Sequence, residues 1–214
     1  MKNLIKLTCS ALVAAALLSP TAQAQVEGNV ALQSDYVWRG VSQNAEDPSI
    51  QGGFDWAHGS GFYVGVWGAS VDFGGDESTE IDLYAGWGTE FENGIGIDFG
   101  IIEYTYHGGP AASGDFTEYY AGVSYAGFGL TYYAGDEFDD NIEVSYGYDF
   151  ESGFSIAATY GDYDAYSYYT VGVSTELGGI GLDLSYWDTD SDGEDLFGDE
   201  LTDGRVVFTI SKAF

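Results

Sequence analysis

The mature part of this chain lacks cysteine, and the whole chain is poor in proline. The single cysteine, Cys9, lies in an apolar stretch near the N-terminus, and only three prolines occur in 214 residues. If that stretch is removed as a signal peptide, no disulfide, thiol nucleophile or sulfur metal ligand remains. An exported domain of this kind has to be held together by burial and hydrogen bonds alone.

Basic residues are also scarce. Five Lys and Arg residues stand against 35 acidic residues, which gives a formal net charge of −30. A surface of this charge repels nucleic acid, so nucleic acid is excluded as a partner. It suits cations, or it keeps the protein soluble in a salty medium. Outside the N-terminal stretch the basic residues are Arg39, Arg205 and Lys212.

A long apolar run is absent as well. The one candidate, residues 7–18, is too short to span a bilayer as a helix. It follows two lysines and precedes Ala22-Gln23-Ala24, the small-x-small pattern of a signal peptidase site. We predict a signal peptide over residues 1–24 and a single domain over residues 25–214, exported through the periplasm to the cell outer membrane.

Helical periodicity is missing after residue 25, and short segments alternate between apolar and polar residues instead. Ile81 and Leu83, for example, alternate with Asp82 and Tyr84. This alternation places the two kinds of residue on opposite faces of a strand. We predict twelve strands, at about 28–43, 49–57, 62–73, 79–91, 95–107, 115–126, 128–136, 141–150, 154–163, 166–177, 180–188 and 205–214.

The breaks between these strands strictly alternate in length. Tight glycine or asparagine turns are predicted at 58–61, 92–94, around 127, 151–153 and 178–179. Longer breaks are predicted at 44–48, 74–78, 108–114, 137–140, 162–165 and 189–204. Short periplasmic turns and long external loops are typical of outer-membrane barrels. We therefore predict an all-β fold, a closed antiparallel up-and-down transmembrane β-barrel of about 12 strands. A sandwich and a lipocalin-like soluble barrel are the alternatives.

Aromatic residues are expected to gather at the two membrane interfaces. Trp38 and Tyr186 are predicted near the outer rim, and Trp56 and Trp87 near the periplasmic rim. The chain stops at Phe214, like the last strand of outer-membrane barrels, although Lys212 departs from the usual apolar pattern there. Expected partners are outer-membrane lipid and lipopolysaccharide, and the barrel-assembly machinery through the strand that ends in Phe214.

Four segments resemble one known family. They are 34-SDYVWRGVSQ-43, 62-FYVGVWGASVDFG-74, 101-IIEYTYHG-108 and 115-DFTEYYAGVSY-125. Together they are similar to the TorF family of proteobacterial porins, and the resemblance covers essentially the whole mature chain. It implies an outer-membrane β-barrel that passes small solutes. It implies no particular solute and no catalytic residues.

If the apolar residues of each strand face lipid, the residues that alternate with them line a pore. The predicted lining residues are Asp35, Arg39, Asp82, Glu90, Asp98, Glu118, Glu143, Asp149, Glu176, Asp183 and Arg205. Carboxylates in such a lining favour cations. The predicted function is passive diffusion of small polar solutes. The alternative is a closed structural or surface-interaction barrel, in which the acids only stiffen the wall and Arg39 and Arg205 pair with acids such as Asp35 at the seam.

An enzyme is not expected, and no cofactor is required. His58 and His107 are the only two histidines, the residue type that most often serves as a base near neutral pH. His58 lies in a predicted turn. His107 precedes Ser113 and Asp115, but no nucleophile motif surrounds Ser113.

The stretch 188-DTDSDGEDLFGDE-200 resembles the opening of a calcium-binding loop. Asp188, Asp190 and Asp192 have the spacing of the first ligands, and Asp199 occupies the twelfth position. No flanking helices are predicted. Two interpretations stay open: a weak external Ca²⁺ site, and a mobile acidic loop bridged through divalent ions to lipid headgroups.

Overall fold

A computed structural model describes residues 25–110, 114–136 and 140–214. Twelve strands form a closed barrel: β1 (Gln25–Gln33), β4 (Ser49–Ala57), β5 (Phe62–Ser70), β6 (Thr79–Glu90), β7 (Ile95–His107), β8 (Phe116–Tyr125), β9 (Phe128–Gly135), β10 (Asn141–Asp149), β11 (Phe154–Tyr163), β12 (Tyr166–Leu177), β13 (Ile180–Thr189) and β14 (Arg205–Ala213). Sequential neighbours pair antiparallel, and β1 closes the ring by pairing with both β4 and β14. The predicted fold class is confirmed.

The outward face of the barrel is apolar and exposed. Leu83, Val171 and Val206 are 52%, 51% and 62% exposed, and many other large apolar side chains share this face. An apolar surface of this extent is unusual in a soluble monomer and marks a face that meets lipid or another protein. In the part of the chain that the structure describes, no helix is both long and apolar enough to cross a membrane.

The predicted first strand, 28–43, is wrong in its second half. The wall strand β1 ends at Gln33, and residues 34–44 turn into the barrel from the end that carries the longer loops. This inner segment contains a small hairpin of β2 (Val37–Trp38) and β3 (Val41–Ser42). At its tip Arg39 and Gly40 both have positive φ, at 48° and 85°. Positive φ at both central residues is what a two-residue type I′ hairpin requires.

The alternation of short and long connections fails at one position. Residues 164–165, predicted as part of a longer break, form a two-residue turn between β11 and β12. Asp164 adopts a φ of 30° there, a conformation that aspartate tolerates better than most residues. The short turn leaves space above β12 for the last connection. That connection folds into α1 (Ser191–Phe197) and α2 (Asp199–Thr202) instead of an irregular loop, and Phe197 packs edge-on against Tyr166.

Inward-facing tyrosines lie over glycines of neighbouring strands. Tyr84 is the cross-strand partner of Gly65, Tyr63 of Gly86, Tyr120 of Gly100 and Tyr168 of Gly161. In each pair a Cβ built on the glycine would overlap the tyrosine ring. The glycines therefore make room for aromatic rings inside the barrel, and this is a packing role rather than a turn role.

Candidate functional site

The candidate site is the barrel lumen and the inner segment that enters it. Arg39, at the tip of the inner segment, reaches Glu118 on β8, on the far side of the ring from β1. Its Nη1 and Nη2 donate to the two carboxylate oxygens of Glu118 at 2.7 and 3.0 Å. Arg39 is 4% exposed and Glu118 is 0% exposed. The two-pronged contact joins the inner segment to the wall by a buried, charge-assisted pair.

Aromatic rings surround the Arg39 guanidinium. Its Cζ lies 4.2 Å from the ring centroid of Trp38, 4.7 Å from that of Tyr163 and 5.0 Å from that of Tyr133. Ring faces attract a cation. Burial by itself would lower the pKa of Arg39, but the charge and hydrogen bonds of Glu118, together with the nearby Tyr104 and Tyr168, outweigh it, and the pKa of Arg39 lies well above its usual range.

The inner segment touches the wall on several further sides. Val37 packs with Trp187 and Val207, and Val41 packs with Tyr163, Tyr166 and Tyr168. Leu201 of α2 packs on the Val41 cluster from the loop side. The inner segment therefore crosses the lumen, and the α1–α2 connection lies above it.

A second ion pair lies at the seam of the barrel. Arg205 Nη1 donates to Asp35 Oδ2 at 2.9 Å and lies 3.2 Å from Glu46 Oε1. Asp35 also accepts from Ser42 Oγ at 2.8 Å. The seam pairing weighed from the sequence is therefore present for Arg205. For Arg39 the expected seam position is wrong, because residue 39 belongs to the inner segment and pairs across the lumen.

The predicted lining residues all lie inside the barrel or at its mouths, but they fall into three groups. Asp82, Glu118 and Asp183 are buried on the wall; Asp98, Glu143, Asp149 and Arg205 are partly exposed; Glu90 and Glu176 are exposed at the short-turn mouth. Asp35 and Arg39 are buried in the inner segment, not on the wall. The residues predicted as one lining are thus divided between a filled half and an accessible half.

The half of the lumen toward the short turns is accessible to solvent and is lined by small and polar residues. Its inward positions on β8 to β13 carry mostly small residues of intermediate exposure, among them Gly122, Thr131, Ser145, Ser155, Gly172 and Ser174. Toward the longer loops most inward side chains are buried. We call the accessible half the vestibule. It opens at the short-turn end and stops at the inner segment.

The sequence-based list missed several inward residues. Glu80 is 2% exposed beside Asp82. Asp55 accepts from Tyr84, and Tyr63 donates at 2.8 Å to Asp98, which was among the predicted lining residues. Glu80 and Asp55 follow the parity of the predicted lining, so the alternation already marked them. Nothing local marked the tyrosines, because tyrosine occurs on both faces of the barrel.

The four predicted calcium ligands are not brought together. Asp188 lies on the outward parity and accepts from Tyr169 and Tyr186 at 3.0 and 2.9 Å. Asp190 is the N-cap of α1 and accepts from the backbone N–H groups of Asp192, Gly193 and Ser167. Residues 188–200 all belong to the described ranges, within which no group of three or more His, Cys, Asp or Glu residues is arranged to hold a metal ion. The expected loop geometry is wrong because the segment is helical.

The two histidines make local contacts. His58 Nδ1 lies 2.6 Å from Ser60 Oγ in a short turn, and His107 Nε2 lies 3.2 Å from Thr105 Oγ1. Asp115 accepts from the backbone N–H of Tyr106 at 2.8 Å. Ser113, the nucleophile considered with His107, lies outside the described residues.

Two solved structures share this architecture. A KdgM porin superposes with a TM-score of 0.59 at 8% sequence identity, covering 90% of this chain and 98% of that chain. A KdgM porin in complex with disordered oligogalacturonate gives a TM-score of 0.58 at 9% identity, with the same coverage. At such identities the likeness shows the fold alone, which is a porin-like β-barrel. No curated protein matches the sequence.

A family model matches residues 18–214 and is described as a bacterial protein of unknown function (Gcw_chp). Because the match covers nearly the whole chain, the protein belongs to the Gcw_chp family.

Proposed function

We propose that the protein is an outer-membrane channel of porin type for small polar solutes, that it prefers cations, and that the inner segment closes its outer half. The observation that carries the proposal is the charge balance of the lumen. Of the three basic residues outside the predicted signal peptide, Arg39 is bound to Glu118 and Arg205 to Asp35. Lys212 donates to a backbone carbonyl of the turn between β12 and β13. Neither arginine is therefore paired with Asp98 or Asp149 of the vestibule, and Lys212 lies on the outward parity opposite Val30.

The membrane location rests on the outer surface. The exposed apolar band would bury itself in the hydrocarbon layer, and a closed ring of paired strands satisfies the backbone there. Trp56, Phe62 and Phe91 near the short turns, and Tyr169 and Tyr186 near the longer loops, supply aromatic girdles. In this orientation the short turns face the periplasm, after export through the predicted signal peptide 1–24. Lipid and lipopolysaccharide contact the band, and the assembly machinery recognises the strand that ends in Phe214. Membership of the TorF family of porins is part of the same proposal.

The solute class follows from the sign of the lumen charge. The KdgM complex contains oligogalacturonate, a polymer that bears a carboxylate on each sugar. Asp98 and Asp149 in the vestibule repel such an anion and raise the local concentration of cations. We therefore do not carry that ligand over, and we assign small cations and neutral polar solutes to this lumen.

Planar-bilayer recording tests the channel. We expect rare channel openings for the wild-type protein. We expect frequent openings for Glu118→Gln, because this change removes the negative charge that pairs with Arg39. Under a salt gradient, the reversal potential should indicate cation preference. Anion preference in either protein would contradict the acidic-lumen argument.

The second candidate is a closed barrel that acts through its external loops. The specific observation in its favour is the complete burial of Glu118, Asn141, Ser49 and Thr202 at the longer-loop end. This candidate predicts no conductance steps at any voltage in the wild-type protein and in Glu118→Gln. The same recordings therefore decide between the two.

A further inference from the structure

We propose that Glu80 and Asp82 bind a divalent metal cation between the barrel wall and the inner segment. Both residues lie on the inward face of β6, two positions apart, and they are 2% and 6% exposed. Their carboxyl groups are close enough to interact directly. The site is separate from the predicted calcium loop at 188–200, and the proposal does not depend on whether the barrel conducts.

Apart from their contact with each other, each of the two carboxyl groups has one oxygen atom that no donor group of the described residues reaches. The hydroxyl of Tyr36, on the inner segment, donates to Glu80 Oε1 at 3.3 Å. Glu80 Oε2 and Asp82 Oδ1 are buried and accept no hydrogen bond from the described residues. Buried oxygen atoms of this kind are rare in folded proteins, because each forfeits its hydration without replacement. They point to a ligand that the protein itself does not supply.

No described basic side chain compensates the pair. Arg39 is engaged by Glu118, Arg205 by Asp35 and Glu46, and Lys212 lies at the opposite end of the barrel. Two buried carboxylates without a cation are strongly disfavoured. One divalent cation balances both charges, whereas an anion or a neutral solute balances neither.

Aromatic residues enclose the pair. The ring of Tyr36 packs edge-on against Trp67 at 5.5 Å, and Trp67 and Tyr104 are the cross-strand partners of Asp82. Tyr36, Ala69 and Val71 form a buried cluster against which Trp67 and Tyr106 pack. These rings shield the pair from bulk solvent.

The oxygen atoms of the two carboxyl groups favour a hard cation, which the site is expected to bind with modest affinity. Ca²⁺ takes oxygen ligands, and carboxylates are among those it prefers. Only two carboxylates contribute, and the described residues offer no larger acidic group for a metal. We therefore expect a Kd on the order of 10⁻⁴–10⁻³ M, the range of weak extracellular sites. Because Tyr36 belongs to the inner segment and β6 to the wall, a bound cation links the two.

Calcium titration by calorimetry on the detergent-solubilised mature protein tests this site. We expect one saturable binding event in the wild type and in Glu90→Gln, the matched control at an exposed inward position of the same strand. Glu80→Gln and Asp82→Asn should each weaken binding by about tenfold or more, since affinity depends on the number of charged ligands. No heat in the wild type, or equal heat in all four proteins, would overturn the proposal. If the paired acids merely share a proton, the wild type gives no calcium heat.

A second measurement keeps the test independent of whether the acid variants fold. Terbium, which replaces Ca²⁺, should emit when tryptophan is excited, and added Ca²⁺ should quench that emission. Trp67→Phe should lose most of the emission, and Trp87→Phe, near the short turns, should retain it. Emission that Trp67→Phe leaves unchanged would place the ion elsewhere and would refute the assignment.

Discussion

Arg39, at the tip of a hairpin, donates two hydrogen bonds to Glu118 on the far wall, inside the longer-loop half of the barrel. The hairpin carries a strained residue at its tip, because Arg39 has a φ of 48°. A positive φ is costly for a non-glycine residue and persists only when its surroundings fix it. The carboxylate of Glu118 and the ring of Trp38 supply that fixation. The closed state of the lumen thus depends on a specific ionic contact as well as on apolar packing.

Glu118→Gln should destabilise the barrel strongly. The change leaves the buried guanidinium of Arg39 without a counter-charge, and breaking a buried pair in this way costs about 3–5 kcal/mol. Urea unfolding in lipid vesicles, followed by tryptophan fluorescence, measures the free energy of unfolding. Glu90→Gln, an exposed inward acid, should change it by less than about 0.5 kcal/mol. Equal stability of the two variants would show that the Arg39 contact is dispensable.

Gly161→Ala should also destabilise the barrel, through the ring of Tyr168. A Cβ at position 161 would overlap that ring, and Tyr168 is held by hydrogen bonds to Glu143 at 2.5 Å and Asn141 at 3.0 Å. Overpacking of this kind costs about 1–3 kcal/mol. The control is Gly172→Ala on β12, where the nearest atom would be Ser185 Cβ at 3.2 Å. If Gly161→Ala and Gly172→Ala have the same free energy of unfolding in urea, the ring of Tyr168 does not require a glycine at position 161.

Asp149→Asn should reduce cation preference without closing the pore. Asp149 lies in the vestibule and accepts from Ser155 Oγ at 2.6 Å, a bond that the asparagine carbonyl preserves. In the Glu118→Gln background, the reversal potential should move toward zero. The change should be larger in dilute salt, because the Debye length is about 30 Å at 0.01 M and about 3 Å at 1 M. Asp72→Asn, on an exposed loop, is the control, and an equal effect there would assign selectivity to the outer surface.

Asp190→Ala should loosen the α1–α2 connection, whereas Asp190→Asn should preserve it. The side chain of Asp190 caps α1 and accepts from Ser167 N at 2.9 Å. Losing an N-cap costs about 0.5–2 kcal/mol, and asparagine caps nearly as well as aspartate. Limited proteolysis within 191–204 should accelerate for the alanine variant alone. Faster cleavage of both variants, reversed by calcium, would instead support a metal-ligand role for this aspartate.

The sequence by itself determined the wall of the barrel. Every predicted strand after the first begins and ends within a few residues of an observed one, and the inward and outward faces agree, as in Ile142 and Val144 outside against Glu143 inside. Alternation is a local property of extended chain, so it survives whatever the strand packs against. Turn glycines such as Gly94 and Gly153 mark the strand ends because their positive φ is also local.

The candidate site was only partly predictable, because a closed barrel has two water-poor environments, the lipid outside and the packed lumen inside. Tyr36 and Trp38 share the parity of Val30 and Leu32, which predicts one continuous wall strand. An alternating pattern assigns residues to two faces of a strand. It does not tell whether an apolar residue meets lipid or the packed interior of the barrel, since both environments exclude water. Only ring closure created that second water-poor space, and it turned residues 34–44 inward. The pairing of Arg39 with Glu118, and the enclosure of Glu80 and Asp82, followed from this closure, because each joins residues far apart in the sequence.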